Sequence, residues 1–477
     1  MPRLSPFAQR IALTVVVLLF TALVAAMVLL DPSAHKTRIE EAASRALGME
    51  VTVNGPMALR WRPTAYLVLR DVRARKAGGD IVAAKEAVVG LRLGSLLGSR
   101  PQMRSVALHE GTLAIVRDAN GRFNFQKDPV PGQPRPAREL PDVSFSQATI
   151  TYSDPRFERR IEARGCQGEI GQLHAAGGER RLLAGLSFDG QAACAHVRSG
   201  ELALAEVHLA ARAKEGVFDF HQIRTRLFDV QGSGRAHVDF TAAATAYQVD
   251  YTLPQFPVEQ LLKAMALKPV ATGRLDLKAK LAMQGRTIKE LEQTVNGAVS
   301  LRGQGLTYHA GDLDERVERL ESSQTFNLFD VGAMMLAGPA GLLVTKGYGF
   351  VTVAQDTPGK SEIRTLVSDW VVERGVARAR DVAMATPANR VAIKGGIDFV
   401  NDRFQGMTIA VVDAKGCAKL QQQVKGTLHK PQVEKPGAIE ALAAPAVQLL
   451  KKGAELIGGE SCEVFYAGAV PAPASPK

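Results

Sequence analysis

Read as apolar and polar positions, the chain opens with three successive patterns. It begins with a continuous apolar run, Ile11 to Leu30, that holds no charge, Gly or Pro. Twenty helical residues rising 1.5 Å each cross a hydrocarbon layer of about 30 Å, so the run predicts a transmembrane helix. A period near 3.6 follows over Lys36 to Leu47, with Ile39, Ala43 and Leu47 on one side and Gly48 as the stop. From Met49 the period drops to two: Met49, Val51 and Val53; Leu67 and Leu69; Val89, Leu91 and Leu93; Leu113 and Ile115. These segments predict strands with one apolar face.

The alternation is clearest in Tyr247 to Leu253 and Arg274 to Leu281, with a short helix predicted between them over Pro257 to Leu267. Further strands are expected around Val299 and Leu301, and at Phe350 to Val353, Val382 to Met384, Val391 to Phe399 and Thr408 to Val412. Two stretches break the pattern. Asp312 to Lys346 holds a charged helix, LDERVERLESS, and then an apolar stretch, Asn327 to Thr345, whose Gly, Pro and Asp predict packed helices rather than a second span. Pro436 to Leu456 reads as an amphipathic helix and Cys462 to Tyr466 as a strand. The division expected along the chain is 1–10 cytoplasmic, 11–30 membrane, 31–126 an N-terminal region, 127–141 a Pro-rich linker and 142–290 a middle sheet. After it come 291–434 as a C-terminal region, 435–466 as a terminal helix and strand, and 467–477 as a disordered tail. The fold class is mainly β with short helices, an elongated, curved, largely antiparallel sheet behind an N-terminal anchor.

Arg3 and Arg10 before the apolar run and Asp31 after it keep the N-terminus cytoplasmic and place the bulk of the chain outside. Export changes how the charge is read. A net charge of +11 would suit nucleic acid, but the basic residues are dispersed among acids, so no nucleic-acid partner is expected. Export also favours cysteine pairing. Of the three connectivities that four cysteines allow, Cys166–Cys194 with Cys417–Cys462 closes the shortest loops. The nine histidines stand singly, no H-E-x-x-H or G-x-S-x-G occurs, and Gly232-Ser-Gly234 and Gly347-Tyr-Gly349 read as turns. No metal, cofactor or catalytic constellation is expected, and the chain is read as a non-enzyme.

Particular motifs add a resemblance. Gly48-Met-Glu-Val51-Thr-Val53-Asn-Gly55, Arg62-Pro63, Leu67 to Val72, Gly94-Ser-Leu-Leu-Gly98 and Arg117-Asp-Ala-Asn-Gly121-Arg-Phe-Asn124-Phe resemble the N-terminal region of the AsmA family. Asn296-Gly297, Gly375 to Val382, Thr386 to Ile393, Gly396-Ile-Asp-Phe, Gly416-Cys417 and Gly426-Thr-Leu-His-Lys-Pro431 resemble its C-terminal region. The resemblance implies an inner-membrane protein with a periplasmic body, related to bridge-like lipid transfer proteins and involved in outer-membrane biogenesis. An apolar sheet face with little helix to cover it fits acyl chains, each gaining several kcal/mol at about 25 cal/mol per Å2. Tyr247, Val249, Tyr251, Leu275, Leu277 and Leu281 are the candidate lining, with membrane phospholipids as partners. The alternative is a closed β-core serving as an assembly or regulatory scaffold, with a periplasmic or outer-membrane protein as partner.

Overall fold

The computed structural model describes residues 35–434 apart from 63, 77–78, 93–101, 120, 127–137, 155–158, 177–181, 201, 265–268, 310, 324–327, 329–332 and 337–358, and then 437–438 and 462–473. The expected span Ile11 to Leu30, the strand Phe350 to Val353, the Gly347-Tyr-Gly349 turn, the helix Pro436 to Leu456 and most of Asn327 to Thr345 lie outside the described residues. Among the described residues no helix is long and apolar enough to cross a membrane. The fold is mainly β with few helices. It divides into two compact units, Met1–Gly200 and Glu201–Lys477.

In the first unit, α1 (Lys36–Leu47) stops at Gly48, whose φ of +72° suits a residue without a Cβ. Its Ser44 Oγ and Glu40 Oε1 accept the Val51 and Val53 amides at 2.9 and 2.7 Å. The helix thereby covers backbone donors of β1 (Glu50–Val53) that an uncovered edge would leave open. β1 and β2 (Met57–Arg62) both pair with β3 (Thr64–Lys76), and antiparallel pairing continues through β4 (Gly79–Leu91) to β5 (Met103–Val116). β5 then pairs in parallel with β7 (Asp142–Asp154). Parallel neighbours need a returning connection, so the Pro-rich segment lies in a crossover joining two adjacent strands of the same unit. β8 (Arg159–Ala175) pairs with β7, with β9 (Leu186–Ser199) and with the short β6 (Arg138–Glu139).

A shared irregularity runs through these strands. Asp71, Glu110 and Gln147 have φ of +47°, +48° and +51°, and Gly165 has +62°. The register sets Arg70↔Glu86, Val72↔Ala84, Glu86↔His109 and His109↔Ser146, which places the first three residues, and Lys85 between them, at one level of the sheet. At that level each apolar alternation slips by one residue: Leu67, Leu69 then Val72, Ala74; Val106, Leu108 then Gly111, Leu113; Val143, Phe145 then Ala148, Ile150. An inserted left-handed residue bends its strand and restores the apolar face beyond it. Because the insertions align, that face stays continuous across β3 to β8. Lys85 binds Glu110 at this level and, through that bond first, lowers its carboxyl pKa.

The second unit is an antiparallel meander. β10 (Leu202–Lys214), β11 (Val217–Leu227), β12 (Val230–Asp239), β13 (Thr245–Pro257), β15 (Arg274–Gly285), β16 (Asn296–Tyr308), β17 (Ser361–Glu373), β18 (Val376–Ala385), β19 (Arg390–Asp398), β20 (Arg403–Val412) and β21 (Ala418–Gly426) pair in that order. β14 (Ala271–Thr272) lies on β16, and β22 (Pro431–Val433) and β23 (Gly437–Ala438) on β21. Among the described residues three α-helices interrupt the meander: α2 (Val258–Ala264), α3 (Ile288–Thr294) and α4 (Leu313–Ser323), the last spanning the expected LDERVERLESS. Gly232 and Gly234 are corrected from turn to mid-strand positions in β12, since a Cβ on Gly232 would stand 2.0 Å from the Tyr251 hydroxyl. They make room for an aromatic ring.

The C-terminal segment also departs from expectation. Residues 467–477 are expected to be a disordered tail, yet among the described residues Val470 is 1% exposed, and Tyr466 beside them 8%. The two pack on Val367, Ala383, Ala385, Ala392, Ala410 and Val412, the side of β17 to β20 opposite the main core. Arg390, buried beneath this strap, donates to the carbonyls of Val470 at 3.0 Å and Asp413 at 2.6 Å. Tyr466 donates to Asp381 at 2.6 Å and accepts the Val470 amide at 3.0 Å. Burial first, and then the bond to Asp381, push the Tyr466 phenol far up.

Candidate apolar ligand surface

Residues paired across antiparallel strands share a face, so the register gives the composition of each apolar row. In the second unit one row reads Phe220, Ala236, Val249 and Leu281; the next reads Leu209, Ile223, Gly234, Tyr251, Ala279, Val299 and Trp370. The opposite face of the same strands carries Gln248, Asp250, Asp276, Lys278 and Lys280, with an Arg235–Asp250 pair at 3.2 Å. Five of the six predicted lining residues, Tyr247, Val249, Tyr251, Leu277 and Leu281, thus lie on one apolar face, and Leu275 follows Leu277 on it.

Their surroundings differ. Leu275, 2% exposed, lies in the main protein core with Leu253, Phe256, Leu301 and Trp370. Leu277 and Tyr251 pack against the edge of that core, and Leu281 is 8% exposed. The Tyr251 hydroxyl bonds Thr225 Oγ1 at 2.6 Å, and burial raises its pKa. Tyr247 and Val249 are half-buried, as are Leu209, Phe220, Ile223 and Ala236, and none of these six belongs to a buried core cluster among the described residues. Strict alternation pointed to β13 and β15; it missed β10 and β11, where register slips at Ala205/His208 and Phe220/Ile223 break the period. The signal available there was the pair Phe218 and Phe220 followed by Ile223.

The face is therefore half-open at Leu209, Phe220, Ile223, Ala236, Tyr247 and Val249 of β10 to β13 and at Leu277 and Ala279 of β15, and closed at Leu253 and Phe256 of β13 and from β16 onward. Closure comes from Val258 and Leu262 of α2, Leu313 and Val317 of α4, Leu328, and the turn Ala333–Leu336, all packed with Leu301, Leu366, Ile409 and their neighbours.

The first unit has its own apolar face. Val53, Met57, Leu69 and Ala87 are buried beneath Ile39 of α1. Beyond them Val106, Leu108, Val143, Phe145, Ile150 and Ile170 are half-buried, and Ile161 is 38% exposed. β8 and β9 are tied at Cys166–Cys194, directly paired in the register, and the second disulfide joins Cys417 to Cys462. Among the described residues no group of three His, Cys, Asp or Glu side chains is placed to hold a metal ion.

A half-buried run of large aliphatic and aromatic side chains offers dispersion contact and water exclusion, without the convergent polar groups that orient a reacting substrate. No curated protein matches the chain. Residues 1–173, from the start of the chain into β8, match the model of the AsmA family, the family that the motifs at Gly48, Arg62 and Arg117 resemble.

Proposed function

We propose that the chain is a non-enzymatic, inner-membrane-anchored periplasmic protein that holds or conducts phospholipid acyl chains along its apolar sheet faces and so contributes to outer-membrane biogenesis. The observation that carries this reading is the contrast within one sheet of the second unit. Val249 is half-buried, whereas Leu301, two strands away on the same face, is 1% exposed beneath helices. A chain that needed only a core would cover both. The match to the AsmA family over the first 173 residues supports the same reading, because the resemblance to that family implies a part in outer-membrane biogenesis.

The scaffold alternative draws on β17 to β20, which carry a buried cluster on each face like an ordinary sandwich. It leaves the half-buried rows unused. The test is transfer of a dye-labelled phospholipid between vesicles carrying the full-length protein, comparing wild type with Phe220→Asp. Transfer lost in the variant supports lipid handling; equal transfer above a protein-free control rejects it.

A further inference from the structure

Two polar side chains stand in the apolar rows of the closed half. Ser368 lies between Leu301 and Val382, and Gln422 lies opposite Ile409; they are 0% and 3% exposed. A buried hydroxyl or amide left without a partner loses about 1–3 kcal/mol. An acyl chain offers neither donor nor acceptor, so a surface built for lipid has no use for either group.

Both groups bond to peptide backbone. Ser368 Oγ donates to the Met335 carbonyl at 2.6 Å and accepts from Trp370 Nε1 at 2.8 Å. Gln422 Oε1 accepts the Leu328 amide at 2.6 Å, and its Nε2 donates to the Glu434 carbonyl at 2.8 Å. A third attachment holds the start of α4. The Leu313 amide donates to Ser361 Oγ at 2.5 Å, and Asp314 accepts from Thr386 and, at 2.7 Å, from Asn389 Nδ2. Leu328, Met335 and Leu336 are each at most 1% exposed, so this cover fits the sheet as a core does.

We infer that α4, Leu328 and the turn Ala333–Leu336 form a fixed stop that ends the acyl-chain surface of the second unit, and that Ser368 and Gln422 are the positioning residues that seat it. The inference rests on the lipid reading above. It divides the unit into two parts of different use: β10 to β13 meet lipid, and β16 to β21 meet only protein. A lipid tail lying against Leu209, Phe220 and Val249 goes no further than the wall made by Leu253, Phe256 and α2.

Photo-leucine, a near-isosteric photoreactive leucine, tests this without disturbing packing. The full-length protein carrying it is reconstituted into vesicles of phosphatidylethanolamine and phosphatidylglycerol, irradiated, and mapped by peptide mass spectrometry. Lipid adducts are expected on Leu209 and not on Leu301, Leu306 or Leu366. In a Ser368→Ala, Gln422→Leu variant, adducts are expected to spread to Leu301 or Leu366. Adducts on Leu301 or Leu366 in the wild type overturn the stop. An adduct pattern unchanged in the double variant overturns the role of Ser368 and Gln422. Absence of lipid adducts from every leucine outside the membrane span overturns the lipid reading itself, and the stop with it.

Discussion

Asp398, at the end of β19, shows how single polar groups hold the closed half. It is 3% exposed and accepts the Asn401 amide at 3.0 Å and Asn401 Nδ2 at 2.8 Å, with Arg403 Nε at 3.5 Å. Burial works to raise its pKa, but the Asn401 bonds and the Arg403 charge outweigh it, leaving the carboxyl below the usual aspartate value. A lowered folded-state pKa means that the ionised form stabilises the fold at pH above the ordinary aspartate range. That stabilisation is lost as pH falls from about 4 through the folded value. Asp398→Asn is therefore expected to lower stability by about 1–3 kcal/mol at pH 7. The gap from wild type should narrow near pH 3, as read by urea unfolding at both pH values. An equal gap at the two pH values would show that the charge is not what matters.

At the scale of elements, the sequence was readable where local pattern and tertiary need agree. α1 and α4 begin and end where periodicity and charge placed them, and β15 alternates throughout while β13 does so up to its register shift at Leu253/Phe256. Of the candidate site, its face was legible but not its extent. Whether Leu275 or Val249 is covered depends on α4 and Leu328, distant in the chain. The aligned insertions at Asp71, Glu110 and Gln147 were visible as a one-residue slip, but a strict period of two reads a slip as a strand end. α3 was missed although Thr287 and Glu290 mark its start; the Glu290 amide donates to Thr287 Oγ1 at 3.3 Å and Glu290 Oε2 accepts the Arg286 amide at 2.7 Å. Ala467 to Val470, part of the expected disordered tail, carry small residues that suit disorder until Cys462, Tyr466 and Arg390 pin them. Breaking the Cys417–Cys462 bond by a Cys417→Ser, Cys462→Ser double substitution should cost about 3–4 kcal/mol in the loop-entropy account. It should also open residues 462–470 to protease, which limited proteolysis with mass spectrometry reads directly. A strap equally protected in the variant would assign its hold to Arg390 and Tyr466 alone.

At the scale of the molecule, each unit combines one covered and one open stretch of apolar sheet. In the first, α1 covers the start and the face opens from β5; in the second, β10 to β13 are open and the helices close the rest. On the proposed reading, the half-buried aliphatic rows in each unit are where acyl chains would lie, at about 25 cal/mol per Å2. The family match reaches residue 173, so the open face of the first unit falls largely within it, whereas the stop and the strap lie beyond. The most direct test of the account is gentle native extraction of the full-length protein followed by lipid mass spectrometry, with Val249→Asp beside the wild type to separate lipid on the sheet from lipid around the proposed membrane anchor. The account predicts phospholipid enriched on the wild type and reduced on the variant at equal folding. Identical lipid on both would contradict it and favour a scaffold with a closed core.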